Sequence, residues 1–224
     1  MKIEELGRLM CIPPDASEED VKERFVQIAE VIKNNCVIQF GNKKYRILDF
    51  EFYFYNLHHR DISVHPRKSE ALCWYFNDFG GIDLNFKSKI DKEADNSLKY
   101  RLTENSYFGG ILIRQIQNIN DGMVFDGPWK VAELFRVISA TSQKQDNPIL
   151  KMEPLDPIPF MAPQKRSNLL GSHKGGIKEK AKAKADNNLR NCFIGYSDSD
   201  MNELEKQLVH FSVSEYRYCW VKPK

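Results

Sequence analysis

A run of alternating acids and aromatic residues at positions 45–55 is the part of the chain best equipped for chemistry. Asp49, Glu51, Tyr53 and Tyr55 alternate with large apolar residues, the pattern of a β-strand with one polar and one apolar face. Carboxylates beside aromatic rings cost free energy unless they are solvated, paired or used. We therefore predict that the polar face walls a site for a flat organic ring, with Glu51 as the first catalytic candidate. The alternative is an edge strand whose wet face carries ordinary acids and tyrosines.

A second candidate, Arg114, lies inside the apolar run 110–116. A guanidinium in such a strand needs a carboxylate or phosphate partner. Two interpretations stay open: Arg114 braces an acid in the core, or it lines the site. Further on, Gly127 and Pro128 predict a helix start, and the first turn of that helix could meet a phosphate.

The elements that must position these residues predict an α+β fold: a compact, mostly antiparallel β domain with flanking helices. Residues 1–34 are expected to form a helical extension, because Ser17 and Asp20 form a capping-box pattern. Residues 35–224 are expected to form a single domain of hairpins and strands. Within it, recurring prolines and then lysines predict an insertion at about 147–186.

Length and composition limit the class of protein. A chain of 224 residues with 42% hydrophobic residues supports one main domain, which we expect to be a monomer. No apolar run reaches the length of a membrane span. The acids at positions 4 and 5, without a following apolar stretch, lead us to expect no secretory signal in the sequence as given. Five cysteines, an odd number without a Cys-x-x-Cys pair, favour reduced thiols in the cytoplasm and argue against structural zinc.

Positive charge is concentrated in one segment. The whole chain carries a net charge of +2, whereas residues 161–190 hold eight Lys or Arg against two acids. Local positive charge is what phosphate contacts require, so Lys178, Lys180 and Lys182 are candidates for a nucleic-acid backbone. The alternative is a solvated lysine-rich loop without a partner.

Five short segments, taken in order, resemble the methylpurine (alkyladenine or 3-methyladenine) DNA glycosylase family, which has a compact antiparallel β fold without a helix-hairpin-helix motif. Each motif is weak alone, and their shared order over residues 45–135 carries the resemblance. The matching segments are Glu51-Phe52-Tyr53, Asp61-Ile62-Ser63-Val64-His65, Trp74-Tyr75-Phe76-Asn77-Asp78-Phe79-Gly80, Ile111-Leu112-Ile113-Arg114-Gln115 and Gly127-Pro128-Trp129-Lys130-Val131.

The resemblance implies that a damaged purine is flipped out of double-stranded DNA and its bond to the sugar hydrolysed, without metal or organic cofactor. Glu51 would be the general base that activates water, with Arg114 near the acid and the DNA backbone. The other roles carried over are base binding by Tyr53, His65, Phe76 and Asn85, insertion into the base stack by Phe79, and backbone contact by Lys130. A DNA-binding cytoplasmic protein would associate with the nucleoid. Phe76 and Phe79 stand where the family has tyrosines. Counted without gaps from Gly80, the position of the family's asparagine falls on Phe86 rather than on Asn85.

Two other functions remain as alternatives. A non-catalytic or divergent purine- or nucleotide-binding protein would keep the pocket without turnover, although the presence of Glu51 favours catalysis. A metal-dependent hydrolase would use the ligand-type side chains of His58, His59, Asp61 and His65, for which spacing alone establishes no site. The base that is removed, and the choice between DNA, RNA and free nucleotide, are open.

Overall fold

A computed structural model describes residues 2–77, 81–92, 99–141, 147–166, 198–212 and 214–221. The described helices are α1 (Ile3–Leu9), α2 (Glu18–Asn35), α3 (Pro128–Thr141) and α4 (Asp198–Ser212). The described strands are β1 (Cys36–Phe40), β2 (Lys43–Tyr55), β3 (Trp74–Asn77), β4 (Gly81–Asn85), β5 (Asp91–Lys92), β6 (Tyr100–Arg101), β7 (Phe108–Asn118), β8 (Val124–Asp126), β9 (Ile149–Met152) and β10 (Arg217–Cys219).

One antiparallel sheet organises the described chain. Its strands run in the order β3, β4, β7, β2, β1, β9, with β10 beside β2 and β8 beside β7. Every pairing within it is antiparallel. The predicted α+β class with mostly antiparallel strands is therefore confirmed.

The amino-terminal helices belong to the main core. Helix α2 begins after Ser17, whose hydroxyl accepts a hydrogen bond from the Asp20 amide at 3.1 Å, so the predicted capping box is present. On the buried side of α2, the Phe25 ring stacks on Phe52 of β2 with centroids 4.4 Å apart. Burying an aromatic side chain of this size stabilises a fold by about 1.5–3 kcal/mol. The segment predicted as an extension thus covers one face of the sheet.

Part of the predicted insertion is also built into the sheet. Strand β9 pairs with β1, and isolated bridges join Phe160 to Trp220 and Gln164 to Arg217. Between them, residues 153–159 have no regular secondary structure, and prolines recur at 154, 157 and 159. The segment 147–166 therefore braces the edge that carries β1 and β10.

An irregularity in β2 decides which of its side chains face the core. Tyr45 and Ile47 are buried in the same apolar core as Phe50, Phe52 and Phe54, although the two sets differ in parity. The register with β7 shifts between Ile47 and Asp49, which leaves one extra residue in β2 at Leu48. This bulge resets the alternation and turns Asp49 and Glu51 to the opposite face.

No helix of the described residues is long and apolar enough to cross a membrane.

Candidate functional site

Glu51 lies at the centre of the polar face and is completely buried. Its Oε2 atom accepts a hydrogen bond from the Tyr53 hydroxyl at 2.7 Å and another from Arg114 Nη1 at 3.3 Å. On the other side of the strand, Arg217 Nε lies 3.8 Å from Glu51 Oε1. Charge-assisted contacts of this kind offset the cost of burying a carboxylate.

A second bulge aims Arg114 at this carboxylate. The register between β2 and β7 shifts again after Asp49, where β7 carries one extra residue, Arg114. In such a bulge the extra residue turns to the same face as the residue opposite it. The Arg114 side chain, 14% exposed, therefore meets Glu51 and also comes within 3.9 Å of Asp49.

Asp49 and Arg217 form a bidentate ion pair next to Glu51. Arg217 Nε and Nη2 donate to the two Asp49 oxygens at 3.0 and 2.5 Å. Hydrogen bonding to Asp49 is the main cause that raises the pKa of Arg217. Burial raises the pKa of Asp49, and the Arg217 guanidinium opposes that shift. Two acids and two arginines thus share one patch of the sheet.

The ring of Tyr53 packs against the guanidinium of Arg166. The Arg166 guanidinium carbon lies 4.5 Å from the centroid of the Tyr53 ring, and both side chains are buried. Burial, followed by the nearby charge of Glu51, raises the pKa of Tyr53 well above its usual value. The hydroxyl therefore keeps its proton and remains a donor to Glu51.

Arg166 is anchored by three elements. It donates to Asp61 Oδ2 at 2.5 Å, to the Phe52 carbonyl at 3.2 Å and to the Phe211 carbonyl near the end of α4 at 2.6 Å. Burial alone would raise the pKa of Asp61, but Arg166 outweighs it and the net shift is downward. This buried ion pair ties β2, the loop after it and α4 together.

Two residues of the metal-hydrolase alternative, His59 and Asp61, are engaged in internal contacts, whereas His58 is exposed. The His59 ring, fully buried, lies 2.7 Å from the Phe54 carbonyl through Nδ1 and 3.0 Å from the Tyr216 hydroxyl through Nε2. Burial lowers the pKa of His59 to about 4. Asp61 is bound to Arg166. Within the described ranges, no three metal-ligating side chains come together.

A second polar cluster lies on the same face of the sheet, at strands β3 and β4. Asp83 stands opposite Leu112, which stands opposite Glu51, so all three point to one side of the sheet. Arg67 donates from Nη2 to Asp83 Oδ2 at 2.8 Å, and its guanidinium lies 4.5 Å from the Tyr75 ring centroid. The cluster is therefore continuous with the Glu51 face.

Some of the sequence-predicted residues come together on this face and others do not. Tyr53 and Asn85 flank Gly110 in one row of the sheet beside Glu51. Phe76 pairs with Ile82 and packs into the core on the opposite face, where Arg136 lies over its ring at 5.3 Å. The residue of β3 that faces the site is instead Tyr75.

The remaining predicted residues lie outside the sheet or outside the described residues. His65 is half-buried in the loop between β2 and β3, and Lys130 is exposed in the first turn of α3. Phe79, Lys178, Lys180 and Lys182 fall outside the described residues. The roles of these residues stay predictions.

Three arginines of the site escaped the sequence reasoning. Arg67, Arg166 and Arg217 reach their carboxylates across 16, 105 and 168 residues. For Arg217, the one local signal is its alternation with Cys219 in a short strand, which places both side chains on the same face. The register of β10 beside Glu51 could not be read from local sequence.

Comparison with known proteins gives one curated similarity. The chain is 30% identical over 127 residues to uncharacterized protein L759 of Acanthamoeba polyphaga mimivirus, a match that covers 50% of this chain and 58% of the mimiviral protein. The chain thus spans little more than half the length of that relative. No protein-family model and no solved structure matches the chain.

Proposed function

We propose that the protein is a monofunctional N-glycosylase of the methylpurine type that hydrolyses the bond between a damaged purine and its sugar in double-stranded DNA. The observation that carries the proposal is the Glu51 carboxylate, buried on a sheet face and held by Tyr53 and Arg114. A carboxylate fixed in this way can take a proton from water as it attacks the sugar carbon. The segment order that resembles the glycosylase family supports the same assignment.

In this scheme the side chains around Glu51 have distinct tasks. Tyr53 and Arg114 orient the carboxylate, and the positive charge of Arg114 is suited to a backbone phosphate as well. Arg217 and Asp49 neutralise one another beside it, so that the face accommodates an anionic strand without net repulsion. Phe79 inserts into the duplex, while Lys130, Lys178, Lys180 and Lys182 contact phosphates.

The experiment is base release from duplexes that each carry 3-methyladenine, 7-methylguanine, hypoxanthine or ethenoadenine. Wild type is compared with Glu51→Gln, which keeps the shape of the side chain and removes its basicity. Glu153→Gln, a partly exposed acid paired to Lys44, is the matched control. Release that is lost only in Glu51→Gln supports the proposal, and release that survives in Glu51→Gln contradicts it.

Backbone contact is tested separately by salt dependence. Replacing Lys178, Lys180 and Lys182 by Gln should weaken duplex binding and reduce the slope of log affinity against log salt by about 3, near 0.9 per phosphate contact. Single-turnover cleavage of bound duplex should not change. An unaltered slope would remove these lysines from the DNA interface.

One observation favours a second function, purine or nucleotide binding without turnover. Glu51 is completely buried, and its described contacts are also what a purely structural ion cluster needs. A binding protein of this kind would retain affinity for purine nucleotides and release no base from any duplex. Equal ligand affinity in wild type and Glu51→Gln, without base release, would establish this function instead.

A further inference from the structure

The polar cluster around Arg67 has the form of a ligand site filled by the protein itself. The Arg67 guanidinium is a flat group that lies on the Tyr75 ring and donates to the Asp83 carboxylate. Flat cations and rings pack on aromatic faces in this way, and a carboxylate accepts two parallel N–H donors. Arg67 comes from the irregular loop between β2 and β3 rather than from the sheet.

Gly110 makes room for this occupant. A Cβ atom at position 110 would lie 2.2 Å from Arg67 Nη2 and 3.2 Å from Asp83 Cβ. The glycine thus leaves the sheet surface open between Tyr53 and Asn85, and the end of the Arg67 side chain occupies this space. Glycine in a strand often marks such a close approach by a ligand or another chain segment.

Asn85, on the strand that carries Asp83, has an unpaired acceptor. Its Oδ1 atom is buried, and in the part of the chain that the structure describes it has no hydrogen-bond partner. Asn85 is 2% exposed and Arg67 is 6% exposed. The Asn85 amide is oriented by its Nδ2, which donates to Ser69 Oγ at 2.8 Å. A buried acceptor without a donor indicates a ligand that brings one.

We propose that Tyr75, Asp83, Asn85 and Gly110 form a binding site for a guanine-type base, a 2-amino-6-oxopurine, and that Arg67 is its displaceable internal substitute. The N1–H and 2-amino groups of such a base lie side by side like the two donors of a guanidinium. They would donate to Asp83 while the ring stacks on Tyr75, and Asn85 Oδ1 would accept a further N–H. The inference names the base class of the proposed glycosylase and rests on that function only for the cleavage step.

The distance to Glu51 suits this arrangement. Asp83 and Glu51 are separated by one strand, β7, and thus by two inter-strand spacings, about 10 Å. A nucleoside whose base edge meets Asp83 extends its sugar along the sheet face toward Glu51. Leu112 lies between them as an apolar floor.

The test is equilibrium binding of guanosine, inosine and adenosine 5′-monophosphates to the full chain, which requires no catalysis. Inosine monophosphate lacks only the 2-amino group and should bind at least ~5-fold more weakly than guanosine monophosphate, since one bidentate donor is lost. Arg67→Ala and Arg67→Lys remove the stacked competitor and should each bind guanosine monophosphate more tightly. Asp83→Asn added to Arg67→Ala should abolish the preference for guanosine over inosine monophosphate.

Thermal unfolding of every variant accompanies the binding measurements. If Arg67→Ala does not fold, Arg67→Lys and the wild-type preference carry the test. Equal affinity for guanosine and inosine monophosphates, or weaker binding in the folded Arg67 variants, overturns the inference. Guanosine-selective binding without base release from any duplex would leave the site in place and refute only the glycosylase.

Discussion

The Tyr53 hydroxyl donates to Glu51 Oε2 across two positions of the same strand, at 2.7 Å and between two buried side chains. Side chains two apart in a strand share a face, so this bond depends on an unbroken alternation from 51 to 53. It is short, and its acceptor is a carboxylate, a combination that makes a hydrogen bond stronger than average. The Tyr53 ring is fixed in turn by Arg166.

Tyr53→Phe tests the importance of that bond. The ring and its contact with Arg166 stay, while Glu51 loses a donor, so the free energy of unfolding should fall by about 1.5–3 kcal/mol. Urea denaturation measures the change. Tyr45→Phe on the same strand, also a buried tyrosine, is the matched control, and an equal loss in both variants would show that the hydroxyl bond to Glu51 has no special weight.

Arg166→Met should be among the most destabilising substitutions in the chain. It strands the Asp61 carboxylate in a buried position, and breaking a buried pair from one side typically costs about 3–5 kcal/mol. Adding Asp61→Asn removes the stranded charge and should recover part of the loss, as measured by thermal and urea unfolding. A double variant no more stable than Arg166→Met would contradict this explanation.

His59 should make stability depend on pH. The pKa of His59 is about 4 in the folded protein, against its ordinary value of 6.5. Between these two pH values His59 binds a proton in the unfolded chain and stays neutral in the folded protein. Stability is therefore retained above pH 6.5 and lost as the pH falls toward 4, by about 3 kcal/mol at 1.36 kcal/mol per pKa unit. Urea unfolding of wild type and His59→Gln between pH 7.5 and 4 isolates this contribution. Parallel pH profiles would contradict it.

Gly109→Ala should destabilise the sheet. A Cβ atom there would lie 2.4 Å from the Tyr53 carbonyl oxygen and 2.8 Å from Phe54 Cδ2, and the backbone of the adjacent strand cannot move aside. Overpacking of this kind typically costs about 1–3 kcal/mol. Gly7→Ala in α1, where the new atom meets only Leu72 at 3.4 Å, should be neutral or stabilising. Calorimetry of both variants makes the comparison, and similar melting temperatures would be unexpected.

Phe76→Ala should separate the glycosylase resemblance from the geometry. The resemblance assigns Phe76 to the base, whereas the ring packs against the core opposite to Glu51. We expect lower thermal stability with unchanged base release per folded molecule. Tyr75→Ala should instead impair release or ligand binding, and a catalytic defect confined to Phe76→Ala would favour the resemblance.

The polar and apolar faces of β2 were readable from sequence because period-two alternation is a local property. The same holds for the capping box at Ser17 and for the helix start at Pro128. Phe76 was selected by its position in the motif, whereas the strand register places Tyr75, not Phe76, beside Asp83. The bulge at Arg114 also depends on how two distant strands pair, which single-strand periodicity does not contain.

Arg217 illustrates the limit most clearly, because its ion pair joins positions 168 residues apart. During synthesis at about 5–20 residues per second, Asp49 and Glu51 would emerge roughly 10–30 s before this partner. Until Arg217 has been synthesised, burial of the two carboxylates is less favourable than in the finished sheet, because one of their cationic partners is missing. We therefore expect the ion pairs of Asp49 and Glu51 to be completed late, after most of the chain has been translated.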